Sequence, residues 1–436
     1  MRPTIRNRRL ALGLAASVCW LAPAPSRADT VDASSTTMLI VRDQVRAGTS
    51  YTIAPLYEIL SVSARDIRNP VADGLSVVFS GWGAGAIGEH LVWFDRDRPT
   101  NRVFGDLDLA YLQGEILKRH LQLRLGRQLV GGGVTGALQL DGANVLVRLP
   151  YGLGVSGYAG SPVSQRFDER GTETTFNPQR GNFATGGRAY FTLPAWGEVG
   201  ASGVLVQDHG DPSRRQVGAD LRLTPVRPLM VLANTSYDVY EDRWAETNVV
   251  GQLQVLRKVL VIADYRHVEP DLLLARNSIL AVFAVDRRNE VGGAVRLGPW
   301  KAITFDGDYH YLKEEAGHGN RAGARASWRA AKDTILGVEL TALETPQNDY
   351  FGGRAFASKR LDRFTGTLDV QEYALDQPVN GRHNSFLGTA TLGYELGLGF
   401  DALVSATGGA TPYYESRFDV MAKLAYNQSY HVREVR

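Results

Sequence analysis

At 436 residues, the chain has room for two or three soluble domains or one large single-layer fold, and a formal net charge of +2 gives no reason to expect a nucleic-acid partner. The mean hydropathy is −0.18, and beyond the N-terminus no run approaches the roughly 18 apolar residues of a helical span; strands that cross a membrane by alternation stay allowed. The single cysteine, Cys19, lies in the N-terminal apolar run, which excludes disulfide scaffolds and thiolate metal sites from the rest of the chain.

Residues 1–28 read as a secretory signal. Arg2, Arg6, Arg8 and Arg9 form a basic start, Leu10–Ala22 a short apolar core, and Ser26-Arg27-Ala28 a cleavage site with small residues where a peptidase reads them. Residues 29–50 are polar, apart from Met38-Leu39-Ile40-Val41, and read as a periplasmic lead-in. From Tyr51 to the C-terminus, residues 51–436, the chain becomes a series of segments of strand length.

These segments alternate. Leu107, Leu109 and Tyr111 alternate with Asp106 and Asp108, and Leu121, Leu123 and Leu125 with Gln122 and Arg124. Arg148 lies among Val145, Val147 and Leu149, Arg188 before Ala189, Phe191 and Leu193, and Asp220 and Arg222 among Val217, Ala219, Leu221 and Leu223. The pattern is clearest at 291–342, where Ile303, Phe305, Gly307, Tyr309 and Tyr311 alternate with Thr304, Asp306, Asp308 and His310. There Ala322, Ala324, Ala326 and Trp328 also alternate with Arg321, Arg325 and Arg329. Strand side chains point to opposite faces with period two, so each segment has one apolar and one charged face. A wall with lipid outside and water inside needs that pattern at every strand.

The connections sort into short turns (such as 150–152, 257–258, 298–301 and 396–399) and longer polar ones (129–142, 161–182, 207–215, 238–246, 266–289, 312–320, 344–352, 373–384 and 408–416). They alternate from residue 118 onward, as short periplasmic turns and long outer loops do. Tyr151, Trp196, Trp300, Phe364 and Phe400 beside short turns suit an interfacial girdle. The expected fold is all-β: a transmembrane antiparallel up-and-down β-barrel of about 20 strands, range 18–22, in the bacterial outer membrane. The parity is unclear near 75–94, where one interrupted strand or two fit equally.

Leu121-Gln-Leu-Arg-Leu-Gly-Arg-Gln128, a Gly-rich stretch and Leu140-Asp-Gly-Ala-Asn-Val resemble porin-type and alginate-export-type outer-membrane barrels over about 25 residues. The resemblance implies diffusion of small hydrophilic solutes, and no family binding residue transfers by position. Those barrels often end in an aromatic residue read by the assembly machinery, whereas this chain ends Tyr430-His-Val-Arg-Glu-Val-Arg436.

No residue pattern points to an enzyme. His383 and Ser385 share a strand face without a nucleophile elbow, Asp306, Asp308 and His310 repeat a lumen pattern, and the scattered histidines lack metal-ligand spacing, so no metal or cofactor is expected. Gly131-Gly-Gly-Val-Thr135 reads as a flexible outer loop. The expected pore lining carries both signs: Asp106, Asp108, Asp220, Asp306, Asp308 and His310 with Arg124, Arg148, Arg188, Arg222, Arg296, Arg321, Arg325 and Arg329. Opposed acid and base would set a transverse field across the pore; the alternative is lateral pairing that solvates the wall. The connection 268–287 is too apolar for a plain loop and is expected to fold inward as a constriction, with Asp271 capping a short helix and Arg276, Asn277 and Phe283 within it. The expected function is a porin-like channel for passive diffusion of small hydrophilic solutes. The alternatives are a non-conducting barrel with a structural or surface-binding role and an outer-membrane hydrolase. An energised transporter is disfavoured because no plug-sized stretch precedes the barrel. The expected partners are outer-membrane lipids and lipopolysaccharide, the barrel assembly machinery and the solute, with homo-oligomerisation left open.

Overall fold

The computed structural model describes residues 28–46, 48–67, 72–87, 103–163, 182–208, 210–273, 287–346 and 349–431. Residues 1–27 of the expected signal segment, and Arg276, Asn277 and Phe283, lie outside the described residues. The first strands are β1 (Ala28–Arg46), β2 (Thr49–Ile53), β3 (Pro55–Ile67), β4 (Gly74–Ala86), β5 (Val103–Ile116), β6 (Leu121–Gly131), β7 (Ala137–Arg148) and β8 (Leu153–Pro162). There follow β9 (Phe183–Leu193), β10 (Gly197–Asp208), β11 (Asp211–Val226), β12 (Leu229–Asp238), β13 (Arg243–Leu256), β14 (Val259–Val268) and, after the short helix α1 (Pro270–Leu273), β15 (Arg288–Trp300). The last are β16 (Ile303–Glu314), β17 (Gly317–Ala331), β18 (Thr334–Glu344), β19 (Tyr350–Leu361), β20 (Phe364–Val379), β21 (Arg382–Gly397), β22 (Phe400–Thr411) and β23 (Tyr414–His431).

Each strand pairs antiparallel with its chain neighbour, and β2 and β3 are collinear pieces of one stave, broken at Ala54, that both pair with β1. The 23 segments therefore make a closed barrel of 22 staves. At ~4.8 Å spacing and ~40° tilt its diameter is about 44 Å.

The barrel closes through a strand that the sequence reading placed outside it. β1 pairs with β23 from Thr30↔His431 to Val45↔Ser416, so residues 29–50 are not a lead-in and the barrel begins at Ala28, not Tyr51. Its outer face, Val31, Ala33, Ser35, Thr37, Leu39 and Val41, carries two hydroxyls in mid-strand. The run Ser34-Ser-Thr-Thr37 therefore hides the alternation. The uncertain stretch near 75–94 holds one strand, β4, up to Ala86; residues 88–102 lie outside the described set.

Register assigns the faces. One row runs Phe305, Ala326, Val338, Ala355, Val370, Gly388, Gly408, Phe418 across eight neighbouring strands. The large side chains on that face, among them Phe305, Val338, Leu340, Leu368, Leu392 and Phe418, are exposed. The opposite face carries the charges, and it is the face on which a turn crossing from β6–β7 to β9–β12 packs; it is the inside. At the end that holds both described termini, Tyr151 and Trp196 are exposed, and the ring pairs Phe364–Tyr394 and Phe400–Tyr426 lie at 4.5 and 4.6 Å. This is the aromatic girdle expected beside the short turns.

The other rim differs from the expected row of long loops. The connections placed at 207–215, 312–320, 373–384 and 408–416 are tight turns, because their strands run on to Asp208, Glu314, Val379 and Thr411. Polar sequence there marks strands projecting past the apolar band, which hydropathy cannot tell from loops.

Candidate functional site

The inner wall is a charged surface ordered by register. One inner row reads Arg296, Asp306, Arg325, Glu339, Arg354 on β15 to β19, with the sign changing at every strand. Arg296 Nε bonds Asp306 at 2.5 Å, and Arg354 bridges Glu339 at 3.7 Å and Asp369 at 2.5 Å. Acid and base are therefore side by side and not on opposed walls. On this stretch the lateral arrangement holds, and the field is local to neighbouring strands.

A second cluster lies higher on β14–β17. His310 is almost fully buried, with Nε2 3.1 Å from Asp264 and Nδ1 3.6 Å from Asp308. Arg321 joins it, 3.3 Å from His310 Nδ1 and 2.6 Å from Glu290, which also pairs with Arg288 at 3.3 Å. Arg329 stands apart at the lower rim, past Trp328, where the β17–β18 register shifts.

The third cluster underlies an inward turn. Arg188 bonds Glu198 at 2.6 Å and pairs through two nitrogens with Asp220. Above it, residues Gly133–Thr135 form a 3-10 turn between β6 and β7 that enters the lumen. Val134 N–H donates to Ser202 Oγ at 2.9 Å, Thr135 Oγ1 bonds the Tyr158 hydroxyl at 2.8 Å, and the Arg214 guanidinium donates to the Val134 and Thr135 carbonyls. Val134 packs with Val130, Leu140, Tyr158 and Val204. The flexible outer loop expected at Gly131–Thr135 is thus a fixed element of the lumen. Its glycines supply the left-handed backbone at 132, 133 and 136, and at Gly133 a Cβ would lie 2.0 Å from Ser202 Oγ.

The connection after β14 begins inside as well. In α1, Leu272 is buried and its carbonyl accepts from Gln216 Nε2 at 3.1 Å, on the inner face of β11. Asp271 lies within this four-residue helix, Pro270–Leu273, and not ahead of it at a cap position. The turn and α1 cover the β8–β13 side and leave the β15–β23 wall bare among the described residues.

Of the other expected lining residues, Arg124, Arg148, Arg222 and Asp220 face inward. Arg124 bonds Gln113 at 2.7 Å, and Arg148 bonds Gln122 at 3.2 Å. Asp106 pairs opposite Trp82 on the inner face, but Asp108 is the extra residue of a bulge and breaks the alternation assumed for it. Missed by the sequence reading were Asp264, Glu290, Arg354 and Arg214, and also Arg42 and Arg417, which pair with the inward Asp419 at 2.7 and 2.5 Å. Arg214 stood in a segment read as a loop and Arg42 in the stretch read as lead-in, and each of the others lies within two residues of a segment read as a loop. His383 gives its Nδ1 to the Leu375 carbonyl at 3.1 Å and not to Ser385, and no group of three metal-ligating side chains is found among the described residues.

No family model and no curated protein matches the chain. Among solved structures it resembles the siderophore receptor PirA of Pseudomonas aeruginosa, at 11% identity over 91% of this chain and 80% of that one, with TM-score 0.57. A mutant ferric enterobactin receptor, PfeA, of the same species matches at 9% identity over 92% and 81%, with TM-score 0.54. OccAB4 of Acinetobacter baumannii matches at 10% identity over 94% and 100%, with TM-score 0.47. At these identities the receptors share the fold. The likeness shows the fold alone, a large closed β-barrel of the outer-membrane type.

Proposed function

We propose that this barrel is a passive channel for small hydrophilic solutes. The observation that carries this reading is the inner wall from β15 to β23, bare among the described residues, with its sign-alternating row Arg296–Asp306–Arg325–Glu339–Arg354. A ~44 Å barrel is too wide for wall side chains to fill, and the described inward elements sit on one side of it. Charges paired laterally hold water at the wall without giving the pore one strong sign, which suits polar solutes of either charge. The proposed lining is Asp306, Asp308, His310, Arg321, Arg325 and Arg329, with Asp106, Asp108, Arg124, Arg148, Arg188, Arg222, Asp220 and Arg296 on the remaining wall. The inward start of α1 supports a constriction running on through Asp271, Arg276, Asn277 and Phe283.

Purified protein in planar bilayers should give discrete, ohmic conductance steps with weak ion selectivity. Silence at all voltages would reject the channel. The inward turn and α1 favour one competing reading, a barrel whose lumen is filled and whose role is structural or surface-binding, and the same silence would support it.

A further inference from the structure

The joint between β5 and β6 is where the wall is least closed by its own ladder. β5 has 14 residues and β6 has 11, yet they pair only from Ile116↔Leu121 to Ala110↔Arg127. Above that level β5 continues to Val103 paired with β4, and β6 to Gly131 paired with β7, with no pair between them among the described residues. Two local features mark where the ladder stops. Gly126, at φ 118, lets β6 press against β5, since a Cβ there would come 2.2 Å from the Ala110 carbonyl oxygen, and just above it Asp108 is an extra residue that bulges β5.

Inside a membrane every backbone polar group needs a partner in the protein. Here side chains replace the missing ladder. Arg127 donates from Nη1 to the Leu107 carbonyl at 3.0 Å and to Asp106 at 3.2 Å, while Nε and Nη2 hold Asp141 at 2.8 Å each. Gln139 donates to the Asp108 carbonyl. Register puts Arg127 on the outer face between Leu125 and Leu129, which are 47% and 53% exposed, so the latch lies within the apolar band. Behind the joint, on the lumen side, stands the apolar cluster of Val130, Leu138, Leu140 and Tyr158. Below it on the inner face is Arg124, bonded to Gln113 and 5.6 Å from the Tyr111 ring, with no carboxylate paired to it among the described residues.

We propose that the upper β5–β6 joint is a lateral passage between the lumen and the outer leaflet, latched by Arg127, that admits a single-chain anionic amphiphile. Hydrocarbon lies in front of the slit, an apolar surface behind it and a cation below, which fits an acyl tail with a charged head. Once the latch lets go, a joint widened by one strand spacing, ~4.8 Å, would take one extended chain and exclude a two-chain lipid. This goes beyond passive diffusion through the mouths of the pore and does not depend on it.

The test places a bimane reporter at Leu138→Cys, or on the far wall at Ser405→Cys, in a Cys19→Ser background reconstituted into phosphatidylcholine vesicles. Dodecanoate brominated on its acyl chain is the quencher. Quenching at position 138 and not at 405, about tenfold faster when Arg127→Ala removes the charged latch bonds, is the expected result. Equal quenching at both positions, quenching at neither, or a rate unmoved by the latch variants would overturn the proposal. Gln139→Ala serves as the second latch variant if Arg127→Ala does not assemble into a heat-modifiable barrel.

Discussion

Glu58 shows how far a single residue can depart from the rule of its surroundings. It lies on the outer face of β3 between Leu56 and Leu60, where lipid is expected, and takes hydroxyl hydrogen bonds of 2.5 Å from Ser35 and Thr37 of β1. Those bonds offset part of the cost of holding a carboxyl group in hydrocarbon, but an apolar side chain has no such cost. Glu58→Leu is therefore expected to raise the unfolding free energy in urea by roughly 1–2 kcal/mol. A loss of stability would show that the clamp does more than compensate. At the inner wall, Arg325 stands in register between Asp306 and Glu339, its guanidinium 4.7 Å from the Phe356 ring. Arg325→Ala leaves two acids flanking a neutral gap, and the reversal potential in a salt gradient should move toward cation preference, by about twofold in permeability ratio. An unchanged reversal potential would place the conducting path elsewhere.

At the scale of elements, the turn Gly133–Thr135 and the connection after α1 make separable predictions. Tyr158→Phe removes one bond to the turn, for about 1 kcal/mol of local stability, and should leave the mean conductance unchanged while adding noise. Deleting 132–136 and joining Gly131 to Ala137 through two glycines should raise single-channel conductance, as should deleting 271–285; no rise from either would remove both from the conducting path. These elements also show what could be read from the chain beforehand. β16 and β17 were legible below their upper ends, because the row Phe305 to Tyr311 faces out and the row Asp306 to His310 faces in. β1 was not, since Ser35 and Thr37 interrupt its outer face to serve Glu58, a partner that only the register supplies. The inward turn was illegible for a different reason. A Gly-rich run specifies backbone freedom and says nothing of destination; Ser202, Tyr158 and Arg214, which hold it, lie 23 to 80 residues downstream.

For the whole molecule, strand number came within the expected range because each crossing leaves its own alternation. The contrast of short and long connections was a weaker guide, since several of the long ones are strands that rise above the membrane. The same geometry explains why the charge pattern alone left opposed and lateral arrangements both open. Inward faces can be listed from one sequence, but which acid neighbours which base depends on register across strands.

The closing joint has a consequence for the order of assembly. Arg42 and Asp419 are 377 residues apart in the chain and 2.7 Å apart in the barrel, on two strands whose ladder runs without a register shift. Every other stave can zip onto a neighbour made just before it, but this pair must wait for the last segment to be synthesised. Closure thus carries the largest loop entropy of any pairing in the wall. An ion pair at that joint favours one registry over slipped ones at the moment the cylinder shuts. Replacing Arg42 with Met should leave the finished barrel standing while lengthening the time a nascent chain spends open-edged.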